Sequence, residues 1–143
     1  ERSQHLMSLG IPLNTDSTLK GQTVFLAERC GELMHDNIIT DRTILDVMAF
    51  TMNADSIPYQ DKEAFETYAS EFVREYDYIF YISPHGLDIE DNGVRETNEH
   101  YRDLIDFTIT TLIKRHGHKA GAIEKISGST DERIQQILNI TKL

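Results

Sequence analysis

Two polar clusters in this 143-residue chain contain side chains that could bind or transfer a phosphoryl group. Asp41 and Arg42 directly follow the β-branched run 37–40, and a carboxylate in that place can hold Mg²⁺ or act on a substrate hydroxyl. Arg95 and Arg102 lie seven residues apart, about two helical turns, so both side chains can face the same way. A pair of guanidinium groups suits a phosphoryl group in transfer, whose charge is spread over several oxygens.

Each of these side chains also has a purely structural interpretation. Asp41 could cap the helix that follows it, and the sequence supports capping and chemistry about equally. Arg42 could pair with Asp41 instead of reaching a phosphate. Arg95 and Arg102 could instead face solvent and pair with Glu99 and Asp106 along the helix, which is the commoner situation for an isolated arginine. The sequence leaves these alternatives open.

The sequence around these clusters predicts strands that alternate with helices. Runs rich in β-branched and aromatic residues predict strands at 37–40, 76–82 and 120–126. Apolar residues at helical spacing predict helices at 2–9, at 18–35, from 43, at 61–75 with Asp61 as cap, at 96–116, and from 130. This order is typical of βαβ crossovers and predicts the α/β class with a parallel sheet. We find no linker, so residues 1–143 read as a single domain.

Three polar segments, two of which contain Asp41–Arg42 and Arg95, fall where these predicted strands end. In open α/β sheets, ligands bind outside the carboxyl ends of the strands. Asp41 follows the first predicted strand, residues 83–95 follow the second, and residues 127–130 follow the third. A three-stranded sheet is thin, and the central strand of a doubly wound fold is not found in the sequence. We therefore expect further residues before Glu1.

Composition excludes several other function classes. The net charge of −10 argues against binding to a nucleic-acid backbone or to an anionic membrane. The single cysteine, Cys30, excludes an internal disulfide and reads as a buried, inert thiol. The absence of a long apolar run or a signal-peptide pattern predicts a cytoplasmic protein. The histidines show no metal-ligand spacing, and an oligomer is compatible with the sequence.

Three stretches carry a resemblance to a known family. They are NIITDRTILDVMAF (residues 37–50), YDYIFYISP…EDNGVR (76–95) and EKISGSTDERIQQI (124–137). Together they resemble the ribosylnicotinamide-kinase-like branch of P-loop ATPases. In that group an Asp-Arg pair ends a strand, an Asp-x-Gly-x-Arg element enters a mobile lid, and an Ile-x-Gly-Ser element precedes the last helix. The opening ERSQHLMSLGIPLN is similar to the segment after the group's second strand, so the resemblance covers nearly the whole chain.

The resemblance implies a three-layer sandwich, with helices on both faces of a parallel sheet. It also implies transfer of the γ-phosphoryl group of ATP to a nucleoside or nucleotide, with Mg²⁺. Asp41 would be the Walker-B-like or substrate-orienting carboxylate and the metal ligand, and Arg42 would contact the substrate. Arg95, together with Arg102, would close a lid at about 84–102 over the phosphates. Asn92 stands where the group usually has a second acidic residue.

The same resemblance assigns two further sets of contacts. Ser127, Gly128 and Ser129 would lie near the adenine of ATP. Glu1 and Arg2 would lie at the edge of the substrate pocket. One departure is large, because the sequence contains no Gly-x-x-x-x-Gly-Lys-[Ser/Thr] loop to cradle the phosphates. Either about thirty residues precede the chain, by typical element lengths, or the protein is a degenerate relative that binds nucleotides as a regulatory or NTPase module.

Overall fold

The structure is a computed structural model and describes residues 5, 7–85 and 98–143. It is a mixed α/β fold, mostly helical, with a parallel sheet of two strands within the described residues. The helices are α1 (Leu19–Glu32), α2 (Ile44–Met52), α3 (Tyr59–Ala69), α4 (Glu99–His116) and α5 (Thr130–Thr141). The strands are β1 (Tyr78–Ile82) and β2 (Ala122–Ile126), and short 3₁₀ segments cover Asn14–Asp16, Ser70–Glu75 and Gly117–Lys119. No helix in this part of the chain has the length and apolar character needed to cross a membrane.

The two strands confirm the predictions at 76–82 and 120–126 to within two residues. They pair in parallel, from Tyr78 opposite Ala122 to Ile82 opposite Ile126. Gly121 starts this pairing, because its backbone N–H donates to the Tyr76 carbonyl at 2.9 Å. A side chain at Gly121 would collide with the backbone of Asp77, so only glycine allows the two chains to approach this closely.

The predicted strand at residues 37–40 is wrong. The chain is irregular there, and Asn37 has a left-handed backbone with φ of 55°. Ile39 is 89% exposed, so it has none of the neighbours that stabilise a β-branched residue in a sheet. The predicted three-stranded sheet therefore has two strands among the described residues.

Helix α2 forms the centre of the core and packs against α1, α3 and α4. Ile44, Leu45 and Met48 are almost completely buried. A capping box fixes the start of the helix: the Thr43 hydroxyl accepts from the Leu45 N–H at 3.0 Å, and the Asp46 carboxylate accepts from the Thr43 N–H at 2.8 Å. The predicted helix start at residue 43 is confirmed.

The other helices largely follow their predicted caps. Thr18 caps α1 by accepting from the Gly21 N–H at 3.0 Å, and Ser129 forms a capping box at the start of α5. Helix α3 is an exception, because it begins at Tyr59 after Pro58 and the predicted cap Asp61 lies inside its first turn. The predicted helix at 2–9 is described only in part, with His5, Met7 and Ser8 helical and a turn at residues 9–10.

Candidate functional site

A groove of about 850 Å³ lies between α1, α2, α4 and β1. Its volume is in the range of sites for small molecules and cofactors. Three predicted site residues, Asp41, Arg42 and Arg102, line it together. The structure thus brings together side chains that are sixty residues apart in the sequence, counted from Arg42 to Arg102.

Asp41 is exposed at the groove and does not cap α2. Thr43 fills the capping position, so the structural interpretation of Asp41 is wrong. Within the residues that the structure describes, the Asp41 carboxylate has no hydrogen bond or ion pair. A carboxylate that the fold does not use can receive a ligand without breaking a structural contact.

Arg42 presents a cation at the same rim. Its guanidinium lies 5.4 Å from the centroid of the Phe50 ring, a distance at which the ring attracts a cation. Its backbone is left-handed, with φ of 73°, which is unfavourable for a residue with a side chain. The Thr40 hydroxyl donates to the Arg42 carbonyl at 2.9 Å and holds this turn. The predicted pairing of Arg42 with Asp41 is not among the ion pairs of the described residues.

Helix α1 contributes a polar face that sequence reasoning missed. Gln22, Phe25, Arg29 and Glu32 line the groove at spacings of three, four and three residues, a helical face that the sequence could have shown. Arg29 is 8% exposed and forms an ion pair with Glu32 at 3.1 Å. The Arg29 Nε is buried and has no hydrogen-bond partner among the described residues. The groove wall therefore holds a second, buried cation.

Asp46 is a second carboxylate at the groove, but the fold uses it. Burial raises the pKa of Asp46, and the Thr43 N–H and the charge of Arg42 offset that effect only in part. Because its oxygen already accepts from Thr43, Asp46 has less freedom than Asp41 to meet a ligand.

Helix α4 and β1 form the far wall. The Tyr81 hydroxyl donates to the Asp106 carboxylate and ties the strand to the helix. Burial and this carboxylate raise the pKa of Tyr81 to about 12. Arg102 lies one helical turn before Asp106, is half-buried and lines the groove. Its pairing with Glu99 or Asp106 stays a prediction. Tyr101 and Phe50 add aromatic surface to this lining.

The predicted adenine contacts lie outside the groove. Ser127 pairs with Gln136: its N–H donates to Oε1 at 3.2 Å, and Gln136 Nε2 donates to its carbonyl at 2.6 Å. Gly128 has φ of 97°, and a side chain there would approach the Glu132 carboxyl at 3.1 Å. Ser129 caps α5. These residues have local structural roles, and their contact with ATP stays a prediction.

Three predicted site residues, Glu1, Arg2 and Arg95, lie outside the described residues, as does most of the predicted lid at 84–102. No group of three or more His, Cys, Asp or Glu side chains in residues 7–85 and 98–143 is placed to hold a metal ion. Mg²⁺ is commonly held by one or two carboxylates together with substrate phosphates, and the exposed Asp41 fits the protein's share of that arrangement. Mg²⁺ bound there would neutralise part of the negative charge of the phosphates.

Comparison of the chain with protein-family models, with curated proteins and with solved structures finds no match. The functional assignment therefore depends on the groove itself. Its defining features are one uncommitted carboxylate, arginines on three sides and an aromatic lining.

Proposed function

We propose that this chain forms the acceptor-binding part of an enzyme that moves the γ-phosphoryl group of ATP to a nucleoside or nucleotide. One observation supports this proposal above all: Asp41, Arg42 and Arg102 line one groove. Phosphoryl transfer depends mostly on positioning and on stabilisation of phosphate charge, which these residue types supply.

The groove offers a distinct contact for each part of a nucleotide. Arg42 and Arg102 suit phosphate oxygens, because a guanidinium can donate two parallel hydrogen bonds. Phe50 and Tyr101 suit a planar base. Asp41 suits an acceptor hydroxyl, or Mg²⁺ on the phosphates, since its carboxylate is exposed and meets no other described group.

The proposal includes the remaining contacts that the resemblance implies. The two parallel strands and their helices would belong to a three-layer P-loop sandwich. Ser127, Gly128 and Ser129 would lie near the adenine of ATP, and Arg95 would join Arg102 over the phosphates. Glu1 and Arg2 would lie at the rim of the acceptor pocket.

A second candidate is a nucleotide-binding regulatory or NTPase module without small-molecule kinase activity. The 143 residues given contain no Gly-x-x-x-x-Gly-Lys-[Ser/Thr] loop, which in a kinase supplies the backbone cradle, the phosphate lysine and the Mg²⁺ hydroxyl. Such a module would bind nucleotides in the same groove and transfer nothing.

Calorimetric titration with adenosine, cytidine, nicotinamide riboside and their monophosphates tests the proposal. We expect a monophosphate to bind, and Arg42→Ala or Arg102→Ala to weaken it about tenfold or more, from the energy of a charge-assisted hydrogen bond. Arg74→Ala is the matched control, since Arg74 is exposed and pairs only with Glu71 in the described chain. Binding followed by phosphoryl transfer from ATP supports the kinase, binding without transfer supports the second candidate, and no binding contradicts both.

A further inference from the structure

Arg29 is the most buried of the three arginines that line the groove. It is 8% exposed, whereas Arg102 is half-buried and Arg42 is exposed. A charged side chain is costly to bury unless other groups pair with it and accept its hydrogen bonds. The contacts of Arg29 therefore decide whether the fold alone accounts for its burial.

Within the residues that the structure describes, the hydrogen bonds of Arg29 come from one nitrogen of its guanidinium. Nη1 donates to the two carboxylate oxygens of Glu32, at 3.4 and 3.1 Å. Nε lies on a different edge of the group, is buried, and has no acceptor in that part of the chain. A buried donor without an acceptor lowers stability, and the loss is larger for a charged group. The described residues thus satisfy this cation on one edge only.

The polar groups beside Arg29 are satisfied, so its open donor is not a general feature of this wall. Gln22, on the same face of α1, is 3% exposed, and its Nε2 donates to Thr51 Oγ1 at 3.0 Å and to the Val47 carbonyl at 3.4 Å. The Thr51 hydroxyl donates to the same carbonyl at 2.8 Å. These bonds tie α1 to α2 and fix the face that carries Arg29 at the groove.

The open edge of Arg29 has the form that binds an oxyanion. Nε and Nη2 of a guanidinium can donate two parallel hydrogen bonds, and a phosphate or carboxylate can accept both. A neutral acceptor would satisfy the donors but would leave the buried charge without a second counter-charge. An anion with two free oxygens therefore fits this edge best.

A second cation acts on the same region of the groove. Burial raises the pKa of Asp46, and the charges of Arg42 and Arg29 both act to lower it. Charge effects of this kind are strong only at short range. An oxyanion near Asp46 would therefore meet one cation from α1 and another from the turn before α2.

The carboxylates of the groove do not prevent an anion from binding. Partners of opposite charge and hydrogen-bond donors reduce the repulsion that a carboxylate exerts on an incoming anion. Every carboxylate that lines the groove, except Asp41, has such a partner among the described residues: Glu32 pairs with Arg29, Asp46 accepts from the Thr43 N–H, and Asp106 accepts from the Tyr81 hydroxyl.

We infer that Arg29 binds the phosphate of a nucleoside monophosphate and so selects a phosphorylated acceptor over a free nucleoside. This inference rests on the proposed function, which leaves open whether the acceptor is a nucleoside or a nucleotide. The Nε–Nη2 edge of Arg29 donates to two phosphate oxygens, and Arg42 neutralises further phosphate charge. Asp41 stays at the exposed part of the groove.

Calorimetric titration with matched pairs of ligands tests this inference. The probes are adenosine, cytidine and nicotinamide riboside, each beside its own monophosphate, together with inorganic phosphate and ATP. In the original chain we expect one monophosphate to bind about tenfold or more tightly than its nucleoside. In Arg29→Met this preference should disappear, while the nucleoside binds as before. Arg29→Lys should keep only part of the preference, because an ammonium lacks the two parallel donors.

Thermal denaturation separates a binding role from a structural role. Arg29→Met should change the melting temperature little, because it removes a buried donor that lacks an acceptor and because the Glu32 side chain, 25% exposed, stays hydrated. Arg74→Met is the matched control, since Arg74 is exposed and does not line the groove. Its preference for the monophosphate should equal that of the original chain.

Loss of the preference in Arg29→Met, with the melting temperature retained, supports the inference. An unchanged preference would overturn it and leave the proposed function in place. Equal weakening of nucleoside and monophosphate would assign Arg29 a structural role instead. If Arg29→Met does not fold, an unchanged preference in Arg29→Lys contradicts the inference.

The remaining probes identify the source of the anion. If Arg29→Met weakens ATP and not the monophosphate, the phosphate that Arg29 holds belongs to the donor, and the inference is wrong. It is also wrong if inorganic phosphate alone binds as tightly as the monophosphate. If none of the nucleosides and monophosphates binds, the inference and the proposed function both fail.

Discussion

The guanidinium of Arg42, which precedes α2, lies over the ring of Phe50 in α2, 5.4 Å from the ring centroid. The ring comes from α2, the most buried helix, and the cation from the irregular turn that precedes it. This contact orients a charged side chain at the groove before any ligand arrives. Pre-orientation of this kind lowers the entropy that binding must overcome.

Replacement of Arg42 by glycine should raise the stability of the chain and lower its affinity for a monophosphate. Glycine relieves the left-handed backbone at φ of 73°, so we expect the free energy of unfolding to rise by about 0.5–1 kcal/mol. Monophosphate affinity should fall at least as far as in Arg42→Ala. Urea denaturation and calorimetry measure the two effects. A loss of stability in Arg42→Gly would show that the cation over Phe50 outweighs the backbone strain.

Asp41→Asn and Thr43→Ala should have opposite consequences. Thr43 is the cap of α2, so its removal should lower the free energy of unfolding by about 1 kcal/mol and leave ligand affinity near its original value. Asp41→Asn should leave the melting temperature unchanged and abolish Mg²⁺-dependent binding of a nucleotide. A lower melting temperature in Asp41→Asn would restore a structural role for that carboxylate.

Tyr76 should make the protein sensitive to alkaline pH. Burial raises the pKa of Tyr76 to about 12, although the N–H that Ile44 donates to its hydroxyl at 3.1 Å opposes the shift. The folded state therefore holds this proton more tightly than the unfolded state, whose pKa is about 10. Stability is full below pH about 10 and falls by about 2–3 kcal/mol as the pH rises to about 12.

Tyr76→Phe provides the control for this pH dependence. It should cost about 1 kcal/mol at neutral pH, because the Ile44 N–H loses its acceptor. Its stability should then depend less steeply on pH between about 10 and 12 than that of the original chain. Urea denaturation across this range measures the slope. Equal slopes in the two proteins would assign the alkaline loss to other groups.

Glu66 should govern part of the acid stability. Burial raises its pKa, but hydrogen bonds from Arg115 at 2.7 Å and His116 at 2.7 Å outweigh burial, and the net pKa is lowered. The stability that this carboxylate contributes is present above its unfolded pKa and is lost as the pH falls through its lowered folded pKa. Glu66→Gln should cost about 0.5–1 kcal/mol at neutral pH and flatten the acid loss. Glu71→Gln, which removes ion pairs of the exposed Glu71 with Arg74 and Lys119, is the control and should change little.

The sequence predicted elements best where local signals and packing agree. Helix α2 has both a cap at Thr43 and an apolar face, and its predicted start is confirmed. Residues 37–40 have strand-like composition but pair with no strand in the part of the chain that the structure describes, and ladder hydrogen bonds cannot be inferred from composition alone. Asp61 resembles a cap, yet Pro58 already fixes the backbone that starts α3.

The site was predicted in part for a similar reason. The rule that ligands lie beyond the carboxyl ends of strands placed Asp41 and Arg42 after a strand at 37–40 that the structure does not form, and the two residues line the groove from an irregular segment instead. It also predicted residues 127–130 there, but no residue of β2 or of the loop that follows it lines the groove. The buried Arg29 was missed for a different reason. The spacing of Arg29 and its neighbours shows that they share one face of α1, but it does not show that this face lines a groove.

Helix α5 has no buried residue and packs chiefly against β2. Few buried apolar contacts mean that a segment opens at low free energy, independently of global unfolding. The amide hydrogens of Thr130–Thr141 should therefore exchange by local opening, whereas those of α2 should exchange only when the whole core unfolds. We therefore expect slow exchange at the centre that carries Phe50 and faster exchange at the end of the chain that follows the 127–129 loop.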